Sequence, residues 1–125
     1  MSNKLPDQLA GTLPSALHLL REAAAQRPNA IAVECDGVTL TYCELERCVK
    51  GFADQLRRMG GEGAVILVAL ENSIEIVVAT YAVFAARAQL CPVNPRFTGR
   101  ELGQIVDDAK PSVIITSAAA ADTLE

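Results

Sequence analysis

Apolar positions along this chain repeat with two different periods. Leu13, Leu17, Leu20 and Ala24 fall on one helical face, with Pro14 tolerated in the first turn and Pro28 closing the pattern. Two β-rich runs follow, Ile31 to Cys35 and Val38 to Tyr42, on either side of Asp36-Gly37. That dipeptide favours a type I′ turn, so the segment predicts a β-hairpin. Thr41-Tyr42-Cys43-Glu44 has the form of a capping box, in which the Thr oxygen accepts from the Glu amide and the carboxylate reaches back. A helix is predicted to start there, with an apolar stripe of Leu45, Cys48 or Val49, Phe52, Leu56 and Met59 and a left-handed stop at Gly60-Gly61.

Ala64 to Leu70 is a short continuous apolar run, the pattern of a strand buried on both faces. Asn72-Ser73-Ile74-Glu75 offers another cap before Ile76 to Ala86, which is apolar almost all round. The cap and the length of this run predict a buried helix rather than a strand. Gln89 to Val93 reads as a short strand, ended by Pro92 and Pro95, which resist a central ladder position. Thr98-Gly99-Arg100-Glu101 is a third cap, Leu102, Ile105, Val106 and Ala109 give a helical stripe, and Val113 to Thr116 closes as a strand. The alternation predicts an α/β fold: an N-terminal helix, a β-hairpin and a mainly parallel βαβαβ sheet, part of a three-layer arrangement. Residues 1–12 read as a lead-in and residues 117–125 as a tail around a single unit at 13–116.

Composition narrows the class. Half of the 125 residues are hydrophobic and 21% are charged, a globular balance. Aromatics make up 4% and Trp is absent, so the core must be built from Val, Ile, Leu and Ala. A net charge of −4 supplies no basic footprint for nucleic acid. The apolar runs are interrupted by Glu71, Asn72, Ser73 and Glu75, too short for a bilayer span of about 20 residues. Met1 to Gln8 is polar and lacks a signal-peptide core, which leads to the expectation of a cytoplasmic location.

Candidate chemistry is sparse. Cys35, Cys43, Cys48 and Cys91 show no C-x2-C pair and the chain has one His, so they read as small buried hydrophobes rather than metal ligands. Cys43 and Cys48 lie about 140° apart around a helix. Gly60 to Gly63 follows a helix and opens a strand, the reverse of a dinucleotide fingerprint, and reads as a turn. His18 has no partner placed beside it by motif. Glu44, Glu75 and Glu101 are each expected at N3 of a cap, as helix initiators. Ser15, Ser73, Ser112 and Ser117 lack a G-x-S-x-G elbow. No catalytic, cofactor-binding or metal residue is assigned.

Four stretches carry a family resemblance: Leu40-Thr41-Tyr42 with Glu44-Leu45, then Val68-Ala69-Leu70-Glu71-Asn72-Ser73, then Pro92-Val93-Asn94-Pro95-Arg96-Phe97-Thr98 with Glu101-Leu102, and finally Val113-Ile114-Ile115-Thr116. In this order they resemble the N-terminal part of the adenylate-forming (AMP-binding) superfamily, most closely its acyl-CoA synthetases. The resemblance implies ATP-dependent activation of a carboxylic acid to an acyl adenylate, then transfer to coenzyme A, with ATP, Mg and coenzyme A as ligands of a complete enzyme. Arg96 and Arg100 could then meet a phosphate of coenzyme A, though exposed loop positions are the plainer reading. The family's phosphate loop and catalytic lysine would lie downstream, so the chain is expected to be a truncated, inactive N-terminal fragment. Ile115-Thr116-Ser117 echoes the start of that loop, but Ala118 to Ala121 follow where glycines would be needed. A part of an amino-acid adenylation domain and a standalone interaction module are the alternatives. Uncovered apolar surface on a partial sheet predicts self-association. Two departures stand out: Gly60-Gly61-Glu62-Gly63 where the family favours Gly-Asp, and Arg87 where it favours Gly.

Overall fold

A computed structural model describes residues 16–117, in the order α1 (Ala16–Gln26), β1 (Ile31–Cys35), β2 (Val38–Thr41), α2 (Tyr42–Arg58), β3 (Val65–Ala69), α3 (Ile74–Ala85), β4 (Gln89–Pro92), α4 (Gly99–Ala109) and β5 (Val113–Thr116). The expectations for Leu13, Pro14, Ser15, the 1–12 lead-in and Ala118 onward fall outside the described residues. β1 and β2 form an antiparallel hairpin, and Asp36 (φ 52°) and Gly37 (φ 80°) are both left-handed, as a type I′ turn requires. The other three strands make a parallel sheet in the order β4-β3-β5, with β3 in the centre. The α/β class and the mixture of parallel sheet and hairpin are as the sequence predicts.

Local chemistry sets the helix ends. At α2 the Thr41 Oγ1 accepts from the Glu44 amide at 3.2 Å while Glu44 Oε1 accepts from the Thr41 amide at 2.9 Å, a complete capping box. The hydrogen bond from the Thr41 amide, and then that from the Thr41 side chain, hold the Glu44 carboxyl below its usual range. At the other end Gly60 is left-handed (φ 80°), its amide donates to the Arg57 carbonyl at 3.0 Å, and the Gly61 amide donates to the Leu56 carbonyl at 2.8 Å. This is a Schellman motif. A Cβ on Gly61 would sit 2.7 Å from that Leu56 oxygen, so a side chain is excluded there as well.

The same motif ends α3 without a glycine. The Ala88 amide donates to the Val83 carbonyl at 3.1 Å, the Arg87 amide donates to the Phe84 carbonyl at 3.0 Å, and Arg87 itself has φ 60°. The position where the resembled family favours Gly is therefore a left-handed cap, here occupied by an exposed Arg. The Arg87 carbonyl accepts from the Gly63 amide at 3.0 Å, and the Arg57 guanidinium donates to the Ala85 carbonyl at 2.7 Å. These two bonds join the ends of α2 and α3 at the point where β3 and β4 begin.

The core is aliphatic. Leu20, Leu45, Val49, Ala53, Leu56, Ile66, Val68, Ala79, Ala82, Val83 and Val113 form one buried cluster that joins α1, α2, α3 and one face of the sheet. Leu67 and Ala69 alternate to the other face and are equally buried, and α4 contributes Leu102 at 1% exposure outside the main cluster. Leu56, Ile66 and Val83 have essentially no exposed surface, and truncating a residue such as Leu56 or Ile66 to Ala typically costs about 2–5 kcal/mol.

Several expectations are corrected. The α2 stripe runs through Val49 and Ala53 rather than Cys48, and Met59, at the C-cap, is 62% exposed because the inward face has rotated away by that turn. None of the four cysteines is fully buried: Cys48 is exposed on the flank of α2 and Cys35, Cys43 and Cys91 are half-buried, all of them free thiols. Glu75 stands at N2 rather than N3, since Ser73 is the N-cap and its hydroxyl accepts from the Ile76 amide at 3.3 Å. At α4 the reciprocal bond of the cap is displaced: Glu101 Oε1 accepts from the Thr98 hydroxyl at 3.0 Å rather than from the Thr98 amide. No described helix is long and apolar enough to cross a membrane.

Candidate functional site

Ligands of parallel α/β sheets sit beyond the carboxyl ends of the strands, because the strand-to-helix loops converge there. In this protein that edge carries an open cleft of about 470 Å³, lined by Val68 and Leu70 at the end of β3, the Glu71-Asn72 turn, Ile76 of α3, and Pro92 to Arg96 beyond β4. The walls follow from where the strands stop: β4 ends at Pro92, the register partner of Val68, one residue before β3 ends at Ala69.

Polar groups in the cleft are largely occupied with one another. Asn94 Oδ1 accepts from the Arg96 amide at 2.9 Å, and the Asn94 carbonyl accepts from the Phe97 amide at 3.2 Å, so this turn is held by its own side chain. Arg96 Nε lies 3.7 Å from Glu71 Oε1, with both side chains mostly exposed. Such a pair contributes at most about 1 kcal/mol and is screened by salt. Its geometric effect is to connect the loop after β3 to the loop after β4 across the mouth of the cleft. The Ser73 hydroxyl donates to the Glu71 carbonyl at 2.9 Å and accepts from Ile76, which commits it to the turn rather than to nucleophilic attack.

The remaining candidates do not gather here. His18 lies on α1 beside Glu22 at 3.7 Å, an exposed i,i+4 pair. Arg100 is exposed in the first turn of α4, and Ser112 is exposed, with its amide donating to the Val65 carbonyl at 2.9 Å. Glu44 and Glu101 serve their caps. Gly60 and Gly63 (φ 80° and 75°) form the turn between α2 and β3, at the opposite end of the sheet from the cleft. Thr116 is the last residue of β5, with its Oγ1 buried and, among the described residues, unpartnered. Sequence reasoning missed Glu71 and Asn72 as cleft residues, because a turn composed of ordinary polar residues has no motif.

ATP phosphates and magnesium do not fit the residues present. The cleft's one cation, Arg96, is already paired with Glu71, and no group of three His, Cys, Asp or Glu that could hold a metal occurs among the described residues. No chemical step is assigned to this segment.

The model of the family described as AMP-binding enzyme matches residues 20–125. The chain belongs to this family. The chain is 33% identical over 112 residues to the isonitrile lipopeptide synthase of Streptomyces coeruleorubidus, covering 89% of the chain and 8% of that protein. Among solved structures, a fatty acyl CoA synthetase of Mycobacterium tuberculosis superimposes with a TM-score of 0.77 at 28% identity, covering 85% of this chain and 22% of that one. VinN in complex with 3-methylaspartate gives a TM-score of 0.80 at 31% identity, covering 86% and 31%. The chain thus spans less than a tenth of the curated relative and less than a third of either solved chain. Both an acyl-CoA synthetase and a lipopeptide synthase stand among its relatives.

Proposed function

We propose that this chain is the N-terminal portion of an AMP-forming ligase that activates a carboxylic acid with ATP and passes the acyl group to the thiol of coenzyme A. The observation that carries the reading is the family match through residue 125 combined with a fold shared with the fatty acyl CoA synthetase. The loop Asn94-Pro95-Arg96-Phe97-Thr98, which walls the cleft, supports the acyl-CoA branch through its resemblance to enzymes of fatty and aryl acids. A second reading, part of an amino-acid adenylation domain in a larger synthase, is favoured by the similarity to the isonitrile lipopeptide synthase. In either case the role of this segment is structural: it supplies one wall of a cleft and the sheet beneath it, and the 125-residue chain alone is inactive.

The test is carboxylate-dependent ATP–pyrophosphate exchange, run on the native protein and on the 125-residue chain, with fatty, aryl and amino acids offered in parallel. Exchange by the native protein with a fatty or aryl acid, followed by thioester formation on coenzyme A, is the expected result. Exchange with amino acids alone moves the protein to the second reading. Exchange by the 125-residue chain would refute its inactivity, and no exchange with any acid by the native protein would refute the function.

A further inference from the structure

The cleft at the carboxyl ends of β3 and β4 carries its charge only at the mouth. Val68, Leu70, Ile76, Pro92 and Val93 supply an apolar lining, and among the described lining residues Glu71 is the one acid and Arg96 the one base. Both main chains are pinned: the Ser73 hydroxyl donates to the Glu71 carbonyl at 2.9 Å, and the Arg96 amide donates to Asn94 Oδ1 at 2.9 Å. The two side chains are held far more loosely. They are mostly exposed, and Arg96 Nε stands 3.7 Å from Glu71 Oε1, longer than a charge-assisted hydrogen bond of about 2.7–2.9 Å. The guanidinium can therefore change partners while both loops stay in place.

A guanidinium presents paired donors that match a phosphate, and a phosphate monoester carries about −1.5 to −2 charge near pH 7, against a single charge on a carboxylate. A carboxylate arriving from solution offers Arg96 no more than Glu71 already does. A phosphate monoester offers more charge and a second hydrogen bond. We infer that Glu71 is a specificity-determining residue of the cleft: it occupies Arg96 when the cleft is empty, turns away monoanions, and yields the guanidinium to a terminal phosphate monoester. Coenzyme A, the thiol acceptor of the proposed reaction, carries such a group on its ribose, whereas dephospho-coenzyme A lacks it. The Glu71–Arg96 pair discriminates between these two thiols. This inference rests on the reading of the chain as a portion of a ligase that uses coenzyme A.

The experiment is calorimetric titration of the native protein with coenzyme A and with dephospho-coenzyme A at one fixed salt concentration. Glu71→Gln is expected to tighten coenzyme A by about two- to fivefold, the range of an exposed ion pair, and to leave dephospho-coenzyme A within about 1.5-fold, which also shows that the variant is folded. Arg96→Gln is expected to weaken coenzyme A by about tenfold, and Glu71→Gln added to it should have no further effect. Equal affinity of the wild-type protein for the two thiols overturns the inference. So does weaker or unchanged binding of coenzyme A by Glu71→Gln, an equal change for both thiols, or a Glu71→Gln effect that survives Arg96→Gln. Pyrophosphate exchange on the wild-type sample separates the two claims: a protein that exchanges with an acid but fails the titration loses the role of Glu71 alone, and one that passes the titration without exchange loses the function alone.

Discussion

Arg87→Gly should be more stable than Arg87→Ala. Arg87 occupies the left-handed cap of α3 at φ 60°, a conformation that costs an L-residue about 1–2 kcal/mol. Glycine removes that strain, and its larger conformational freedom in the unfolded chain takes back about 0.5–1 kcal/mol. The net gain over a non-glycine residue is about 0.5–1 kcal/mol, or about 2–5 °C in melting temperature for a domain of this size. The Arg87 side chain is exposed, so deleting it opens no cavity. The deletion does lose the attraction of the guanidinium for the helix C-terminus, about 0.3–1 kcal/mol, and Arg87→Ala is the control that loses it equally. Urea unfolding followed by circular dichroism should rank Arg87→Gly above Arg87→Ala by about 0.5–1 kcal/mol. Equal stability of the two, or Arg87→Ala above Arg87→Gly, would refute the assignment of this position as a strained cap.

Three other outcomes can be checked with the same preparations. Arg57→Ala removes the 2.7 Å bond to the Ala85 carbonyl and the 2.8 Å contact with Asp54; with Arg57 partly exposed, the expected loss is about 1–2 kcal/mol, read as a lower urea midpoint, and no change would deny the link between the two helix ends. The lowered pKa of Glu44 means that its contribution is present above the ordinary value of 4.5 and is lost as pH falls through the folded-state value, so stability measured from pH 7 down to 3 should fall in that lower range and the fall should be smaller in Glu44→Gln; superimposable pH profiles would refute the carboxylate's part in the cap. The 125-residue chain, with Leu19, Ile31, Val38, Phe84 and Ile114 exposed, should show by light scattering a mass that rises above 13.3 kDa with concentration, and a constant monomer mass would count against uncovered apolar surface.

The elements whose ends are written in short-range chemistry were legible from the sequence. The hairpin follows from Asp36-Gly37, the start of α2 from Thr41 and Glu44, its stop from Gly60-Gly61, and the central strand from the unbroken apolar run at β3. What the sequence did not resolve depends on geometry finer than periodicity. Cys48 and Val49 are adjacent and both apolar, and only the packing of α2 against α1 and α3 selects Val49. The Glu75 position turned on a one-residue choice of cap between Asn72 and Ser73. The departure at Arg87 was visible as a residue type, but its meaning needed the backbone angle. The cleft was the least legible feature, because Glu71, Asn72, Asn94 and Arg96 come from separate loops that only the parallel register of β3 and β4 brings together.

The two ends of the sheet are built from different kinds of bonds. Where β3 and β4 begin, the Gly63 amide on the Arg87 carbonyl and the Arg57 guanidinium on the Ala85 carbonyl fasten the two helix ends to one another, and the Gly61 amide on the Leu56 carbonyl closes α2. Where the same strands end, the turns are held by their own side chains and by one solvent-screened ion pair. Heritable variation therefore meets unequal resistance along a strand only five residues long. Substitutions in the Glu71-Asn72 and Asn94-Arg96 loops can reshape the cleft while the fastening at the far end keeps its strength. A lineage could rewrite these loops and leave the foundation of the fold unedited.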